Sequence, residues 1–127
     1  MRKLGRIMLV DDDDFTNYYN EVVLKRMNAY EDIVIFQNGK DALDYLKTDK
    51  EKVDLILLDI NMPIINGWQF LEEYGEFDKN KKAIIVMLTS SVNIEDKKKA
   101  EGFKDVTKYV SKPLNAESIK EILAIFE

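Results

Sequence analysis

The stretch Val53-Asp54-Leu55-Ile56-Leu57-Leu58-Asp59 joins a short apolar run to an acidic residue. Short apolar runs that are rich in branched residues are typical of strands buried on both faces of a parallel sheet. Two other apolar runs are followed by charged residues, residues 7–10 by Asp11-Asp12 and residues 106–110, after one serine, by Lys112. We therefore predict three strands whose ends carry three carboxylates and one ammonium group.

Apolar runs and amphipathic segments alternate five times along the chain. The runs predicted to be strands are residues 7–10, 33–36, 53–58, 83–88 and 106–110. Apolar residues at helical spacing follow each run, and they include Gly39, Ala42, Leu43 and Leu46; Phe70, Leu71 and Tyr74; and Ile119, Ile122, Leu123 and Phe126. This alternation predicts an α/β fold, a single (βα)5 domain over residues 1–127 with a parallel sheet, right-handed crossovers and helices on both faces.

The helices carry further local signals. Asp14 is predicted to be the N-cap of the first helix. The stripe of Phe15, Tyr18 and Tyr19 is predicted to continue through two valines and to pack into the core. A charged helix is predicted over Ile94–Glu101, with its end near Gly102. The lysines within residues 79–82 and 97–99 are predicted to be solvated surface groups.

The composition limits the possible functions. The 127 residues fit one domain, and 46% hydrophobic with 34% charged residues is typical of a globular protein. The chain has no cysteine, which excludes disulfides, and no histidine, which excludes histidine catalysis and most zinc sites. A net charge of −5 argues against nucleic acid binding. No apolar run is long enough to span a membrane, so we expect a cytoplasmic protein without a membrane partner.

In an open parallel sheet, ligands bind at the carboxyl ends of the strands. Asp11-Asp12, Asp59, Thr89 and Lys112 end or follow four of the five predicted strands. Carboxylates held close together repel one another unless a cation lies among them, and oxygen ligands favour a hard divalent cation. A carboxylate nucleophile, with a hydroxyl and an ammonium group to hold phosphate oxygens, suits phosphoryl transfer.

Five motifs complete the pattern. They are Leu9-Val10-Asp11-Asp12, Leu57-Leu58-Asp59-Ile60-Asn61-Met62-Pro63, Asn66-Gly67, Leu88-Thr89-Ser90 and Tyr109-Val110-Ser111-Lys112-Pro113-Leu114. With these motifs in order over essentially the full chain, the sequence resembles the receiver domains of two-component response regulators. The resemblance implies a flavodoxin-like, doubly wound fold with strand order 2-1-3-4-5.

The resemblance also implies a role for each matching residue. Asp59 would be the phosphoacceptor. Mg²⁺, for which Mn²⁺ can substitute, would be held by Asp11, Asp12, Asp59 and the backbone carbonyl of Asn61. Thr89 and Lys112 would bind phosphoryl oxygens, Thr89 and Tyr109 would form a switch, and the bond between Lys112 and Pro113 would be cis.

The implied function is signalling in a phosphorelay. A sensor histidine kinase or a histidine phosphotransfer protein would supply the phosphoryl group. The chain would catalyse only its own phosphorylation and slow dephosphorylation, and would not be an enzyme for other substrates. An unknown downstream protein, or a second copy of the chain, would bind the face formed by the fourth helix, fifth strand and fifth helix. We expect a stand-alone regulator, but a relay function and an origin in a longer protein stay open.

Three other functions compete with this interpretation. A flavin-binding module of the same fold class needs a phosphate-cradling loop, whereas the four consecutive aspartates from Asp11 would repel a phosphate. A phosphatase with an aspartate nucleophile usually carries a second acid where this chain has Asn61. A receiver-like domain that is never phosphorylated is disfavoured because all the motif residues are present.

Overall fold

A computed structural model describes residues 3–48, 52–77, 82–90 and 93–127. The elements within these ranges are β1 (Leu4–Val10), α1 (Asp14–Arg26), β2 (Tyr30–Phe36), α2 (Gly39–Thr48), β3 (Leu55–Asp59), α3 (Gly67–Tyr74), β4 (Ile84–Thr89), α4 (Ile94–Glu101), β5 (Val106–Ser111) and α5 (Ala116–Ala124). The alternation predicted from the sequence is confirmed. The strands differ from the prediction mainly at their ends, and β1 and β2 each begin three residues earlier.

The five strands form one parallel sheet in the order β2-β1-β3-β4-β5, which confirms the predicted topology. The strand register aligns the carboxyl ends that matter for the site. Val10 lies opposite Leu58, Asp59 lies opposite Leu88, and Thr89 lies opposite Ser111. The residues that follow β1, β3, β4 and β5 therefore lie along one edge of the sheet.

Two apolar cores sandwich the sheet, one on each face. Alternate strand residues point to opposite faces, so that Met8 and Val10 belong to one core while Ile7 and Leu9 belong to the other. The first core includes residues of α2, α3 and α4, and the second includes residues of α1 and α5. Because helices cover both faces, the central strand β3 is buried along its whole length.

Helix α1 is rotated about its axis relative to the prediction. Asn17, Asn20 and Leu24 are its buried residues, whereas Phe15 and Tyr18 are largely exposed. The prediction that Phe15, Tyr18 and Tyr19 pack into the core is therefore wrong. The aromatic residues form a helical stripe, but that stripe faces outward because the helix buries its amide-bearing face instead.

The N-terminus of α1 also differs by one residue. Asp13, not Asp14, is the N-cap, because the Asp13 carboxylate accepts a hydrogen bond from the Phe15 backbone amide. Asp14 is the first helical residue, where its negative charge suits the positive end of the helix dipole. The N-cap and the start of the helix thus follow the two site aspartates without an intervening loop.

The prediction for α4 is confirmed, since the helix spans Ile94–Glu101 and has Gly102 as its C-cap.

The prediction that Lys82 is a solvated surface group is wrong. Its ammonium group lies 3.2 Å from Asp105 Oδ2 and over the ring of Tyr74. The other two lysines of this stretch, Lys79 and Lys81, lie outside the described residues. No helix in the described part of the chain is long and apolar enough to cross a bilayer.

Gly67 allows the start of α3 to approach the end of β3. Its backbone amide donates a hydrogen bond of 2.7 Å to the Ile60 carbonyl. A Cβ atom on Gly67 would lie 2.7 Å from the Asp59 carbonyl oxygen and 2.9 Å from Ile60 Cα, both of which are backbone atoms. Only glycine therefore fits at this position without moving the backbone that carries Asp59.

We predict that Gly67→Ala lowers the free energy of unfolding by about 1–3 kcal/mol, the usual cost of overpacking, since the Asp59 backbone must move. Urea unfolding followed by circular dichroism measures the change. Gly75→Ala is the matched control, because its added Cβ would meet its nearest neighbour, the Glu72 carbonyl oxygen, at 3.3 Å. Equal destabilisation by the two substitutions would contradict the packing argument.

Candidate functional site

Three aspartates converge at the carboxyl edge of the sheet. Asp11 and Asp12 follow β1, and Asp59 is the last residue of β3. One carboxylate oxygen from each of the three lies within 4.8 Å of the others. Asp11 is 4% exposed and Asp59 is 7% exposed, while Asp12 is open to solvent. The site therefore has a buried floor of two carboxylates and a third carboxylate at its opening.

Lys112 supplies a positive charge to this cluster. Its Nζ lies 2.6 Å from Asp11 Oδ2 and 3.2 Å from Asp59 Oδ1. The Lys112 backbone amide donates a hydrogen bond of 2.7 Å to the Thr89 carbonyl, so the end of β4 holds the lysine in place. The next peptide bond, between Lys112 and Pro113, is cis. One ammonium group thus bridges the two buried carboxylates.

Burial and the neighbouring charges shift the pKa values of Asp59 and Lys112. Burial raises the pKa of Asp59, and the negative charge of Asp11 raises it further. The ammonium group of Lys112 opposes this shift without cancelling it. Burial also works against the charge of Lys112, but its hydrogen bond to Asp11 and the two carboxylates outweigh burial and raise the pKa of Lys112. Lys112 therefore stays protonated between the two buried carboxylates, and it only partly offsets the effects of burial and of Asp11 on Asp59.

The donors of the cluster fit a hard divalent cation. All three side chains offer carboxylate oxygens, which are the preferred ligands of Mg²⁺ and also suit Mn²⁺. The chain has neither histidine nor cysteine to favour a softer metal. Asn61, which was predicted to contribute its backbone carbonyl, follows Asp59 by two residues and is exposed. We therefore regard Asp11, Asp12 and Asp59 as the side chains that would hold the cation.

Besides the contact with Lys112, three hydrogen bonds hold the Asp11 backbone and carboxylate. The Asp11 amide donates to the Phe36 carbonyl at 3.0 Å, and the Asp13 amide donates to Asp11 Oδ1 at 3.0 Å. The Asn17 side-chain amide, which is buried, donates to the Asp11 carbonyl at 2.8 Å. Asn17 was not among the predicted site residues. The available signal was the spacing of Asn17, Asn20 and Leu24, which places two amides on one helix face.

The loop between β3 and α3 has an unusual backbone. Ile64 has a φ of 71°, in the left-handed region that branched residues rarely adopt, and its side chain is exposed. The loop ends at Asn66, which caps α3 through a reciprocal pair of hydrogen bonds with Gln69. The segment after Asp59 is therefore held at both of its ends, by β3 and by this cap.

Thr89 and Tyr109 lie on neighbouring strands, and Thr89 ends β4 at the same edge of the sheet as the cluster. Thr89 is the last residue of β4 and is buried, whereas the small Ser90 that follows it is exposed. Tyr109 on β5 lies opposite Met87, two residues before Thr89. The Tyr109 hydroxyl is buried and has no hydrogen-bond partner among the described residues. This orientation of Tyr109 leaves a polar group unsatisfied.

Exposed aromatic residues of α1 adjoin the site. Phe15 is 74% exposed, and together with Tyr19 it lines a cavity of about 280 Å³. Lys112 and Pro113 form part of the same cavity wall. The apolar surface of α1 is therefore continuous with the lysine that bridges the carboxylates, although core packing was the role predicted for these aromatics.

The comparisons with known proteins agree with this geometry. The family model of the response regulator receiver domain matches residues 7–124. The chain is 31% identical over 119 residues to the chemotaxis protein CheY of Treponema pallidum (strain Nichols), covering 94% of this chain and 80% of that protein. It is 35% identical over 130 residues to hybrid signal transduction histidine kinase D of Dictyostelium discoideum, covering 96% of this chain and 8% of that protein.

Structural comparison gives the same family. The crystal structure of a two-component response regulator from Cytophaga hutchinsonii matches with a TM-score of 0.89 and 32% identity, covering 98% of this chain and 97% of that chain. The crystal structure of a response regulator receiver protein from Dyadobacter fermentans DSM 18053 matches with a TM-score of 0.87 and 27% identity, covering 96% of this chain and 97% of that chain. The chain therefore belongs to the response regulator receiver domain family of two-component signal transduction.

Proposed function

We propose that Asp59 accepts a phosphoryl group from a phosphohistidine on a sensor histidine kinase or a histidine phosphotransfer protein. The observation that carries the proposal is the bridge from Lys112 to Asp11 and Asp59, with the carboxylate of Asp12 beside it. The donor must lie on another protein, since this chain contains no histidine. The match to part of a hybrid histidine kinase supports a donor of this kind.

In the proposed reaction, an Asp59 carboxylate oxygen attacks phosphorus and forms a P–O bond while the P–N bond to the donor imidazole breaks. The electron pair of that bond stays on the imidazole nitrogen, which takes a proton from solvent. Lys112 and the Thr89 hydroxyl hold the phosphoryl oxygens, where charge develops. Asp11, Asp12, Asp59 and the Asn61 carbonyl would hold Mg²⁺. The cation would supply positive charge that offsets the repulsion between the carboxylate nucleophile and the anionic phosphoryl group.

This proposal makes the chain a signalling domain that catalyses only its own phosphorylation and slow dephosphorylation. Fast hydrolysis of an acyl phosphate benefits from a nearby general acid or base. The residue two positions after Asp59 is Asn61, whose amide cannot serve in that role. Asn61 is therefore a position at which the lifetime of the acyl phosphate can be changed. Ser91 is a second position whose substitution we expect to change this lifetime, and it lies outside the described residues.

We propose that Thr89 and Tyr109 transmit phosphorylation to a protein-binding face. Phosphorylation adds a charge of roughly −1.5 to −2 at Asp59, which would draw the Thr89 hydroxyl toward the new oxygens. The Tyr109 hydroxyl is buried and has no hydrogen-bond partner among the described residues. This supports a switch role, because Tyr109 would gain a hydrogen bond by changing its orientation. The face of α4, β5 and α5 would then bind a downstream protein or a second copy of the chain.

The extent and location of the domain belong to the same proposal. We propose that the receiver domain comprises residues 1–127, of which residues 7–124 match the family model. A cytoplasmic location stays a prediction.

The exposed aromatics of α1, which adjoin Lys112, are a suitable contact surface for the donor protein because they place apolar area next to the reacting group.

We predict that Asp59→Asn abolishes labelling by acetyl phosphate in the presence of Mg²⁺, because an amide oxygen is a poor nucleophile. Intact-mass spectrometry should show one added phosphoryl group on the wild-type protein and none on the variant. Asp44→Asn is the matched control, since it removes an exposed acid that pairs with Lys40 on α2. Stoichiometric labelling of the Asp59→Asn protein would contradict the assignment.

We also predict that Lys112→Met enlarges the stabilisation that Mg²⁺ provides. Without the ammonium group the carboxylates lose their cation, so the metal-free protein should lose about 1–3 kcal/mol and bind Mg²⁺ more tightly. Thermal unfolding with and without Mg²⁺ measures both effects.

Lys82→Met is the control for this experiment, because the Lys82 side chain is 17% exposed and the Lys112 side chain is 18% exposed. Lys82 pairs with Asp105, away from the three aspartates. Its loss should destabilise the protein but leave the response to Mg²⁺ unchanged. A smaller response to Mg²⁺ in Lys112→Met than in the wild type would overturn the prediction.

A further inference from the structure

Two asparagines occupy the buried face of α1. Asn17 and Asn20 are each 3% exposed, and they lie three residues apart on the side of the helix that packs against the protein. Polar side chains are rarely buried unless they form hydrogen bonds, because desolvation of an amide is costly. An interior helix face with two amides therefore requires an explanation beyond packing.

Within the described part of the chain, only one of the two polar atoms of the Asn17 side-chain amide forms a hydrogen bond. Its Nδ2 donates a hydrogen bond of 2.8 Å to the Asp11 carbonyl, and this bond is buried. Its Oδ1 is also buried but has no hydrogen-bond partner among the described residues. A half-satisfied amide is a poor choice for stability alone. We therefore take the hydrogen bond to the Asp11 carbonyl as the reason why a buried asparagine occupies this position.

The Asp11 carbonyl belongs to the peptide group that joins Asp11 to Asp12. The other bonds to Asp11 hold its amide, through Phe36, and its carboxylate, through Asp13 and Lys112. The Asn17 bond holds the carbonyl, and it therefore sets the plane of the peptide that leads to Asp12. That plane determines the direction in which the exposed Asp12 carboxylate leaves the backbone relative to Asp11.

We infer that Asn17 is a positioning residue for the divalent cation, acting through the peptide group between Asp11 and Asp12. It does not touch the cation. It keeps the two neighbouring carboxylates aimed at one point, in the way that residues behind metal ligands commonly orient those ligands. The inference rests on the proposed function, because it concerns the cation of the same site.

The experiment compares two pairs of substitutions on one helix. Asn17→Ala and Asn17→Leu remove the donor to Asp11, while Asn20→Ala and Asn20→Leu change an equally buried amide on the same helix face. Mg²⁺ affinity is measured by isothermal titration calorimetry on each variant. Circular dichroism establishes which variants are folded, and the alanine variant carries the test if the leucine variant does not fold.

We expect the Asn17 substitutions to weaken Mg²⁺ binding by about 10-fold or more, the usual effect of losing a group that orients a metal ligand. The Asn20 substitutions should change the affinity less than about twofold. Asn17→Ser, which keeps a short donor, should recover part of the loss. With acetyl phosphate as donor, the Asn17→Ala protein should need more Mg²⁺ for labelling but reach the wild-type rate when Mg²⁺ is saturating.

Two outcomes would overturn the inference alone. One is an unchanged Mg²⁺ affinity in folded Asn17→Ala, and the other is an equal loss of affinity in the Asn17 and Asn20 variants, which would mark a general packing effect. If the wild-type protein itself binds no Mg²⁺, the metal-dependent function proposed above fails, and this inference fails with it. The wild-type titration thus separates the two failures.

Discussion

Repulsion among the carboxylates of Asp11, Asp12 and Asp59 is the constraint on which the rest of the site depends. One oxygen of each carboxylate lies within 4.8 Å of the others, and two of the three residues are buried. When all three are ionised, positive charge among them is needed to offset their repulsion. Lys112 supplies one charge and bridges the two buried carboxylates. Burial, and after it the negative charge of Asp11, raise the pKa of Asp59, while Lys112 lowers it. In the proposed function, a divalent cation would supply the further positive charge that the carboxylates and the incoming anionic phosphoryl group need.

The sheet and its two apolar cores hold the carboxylates close together despite their repulsion. The carboxylates and the lysine come from the segment after β1, the last residue of β3 and the segment after β5. Each of these strands is anchored by its neighbours in a parallel sheet with an apolar core on either face. Gly67 permits the start of α3 to close against the Asp59 backbone. The charged groups therefore sit on rigid supports, which is the condition for holding ligands in a fixed geometry.

Much of this arrangement was predictable from the sequence. The apolar runs of the strands, and the position of Asp59 after one of them, predict the sheet and the edge at which the acids meet. The orientation of α1 was not predictable in the same way, because Phe15 and Tyr18 form a convincing apolar stripe. Hydrophobic spacing alone does not reveal that buried amides occupy the opposite face. The role of Asn17 depends on a contact with a backbone carbonyl six residues earlier, which residue types do not specify.

The account is tested most directly by locating the cation with nuclear magnetic resonance. Substoichiometric Mn²⁺ broadens the amide signals of nuclei that lie close to it, and excess Mg²⁺ displaces it from a shared site. We predict that the signals of residues around Asp11, Asp59 and Lys112 broaden together and recover with Mg²⁺. Broadening that is scattered over other acidic surfaces, or that Mg²⁺ does not reverse, would contradict the claim that these chain segments form one cation site.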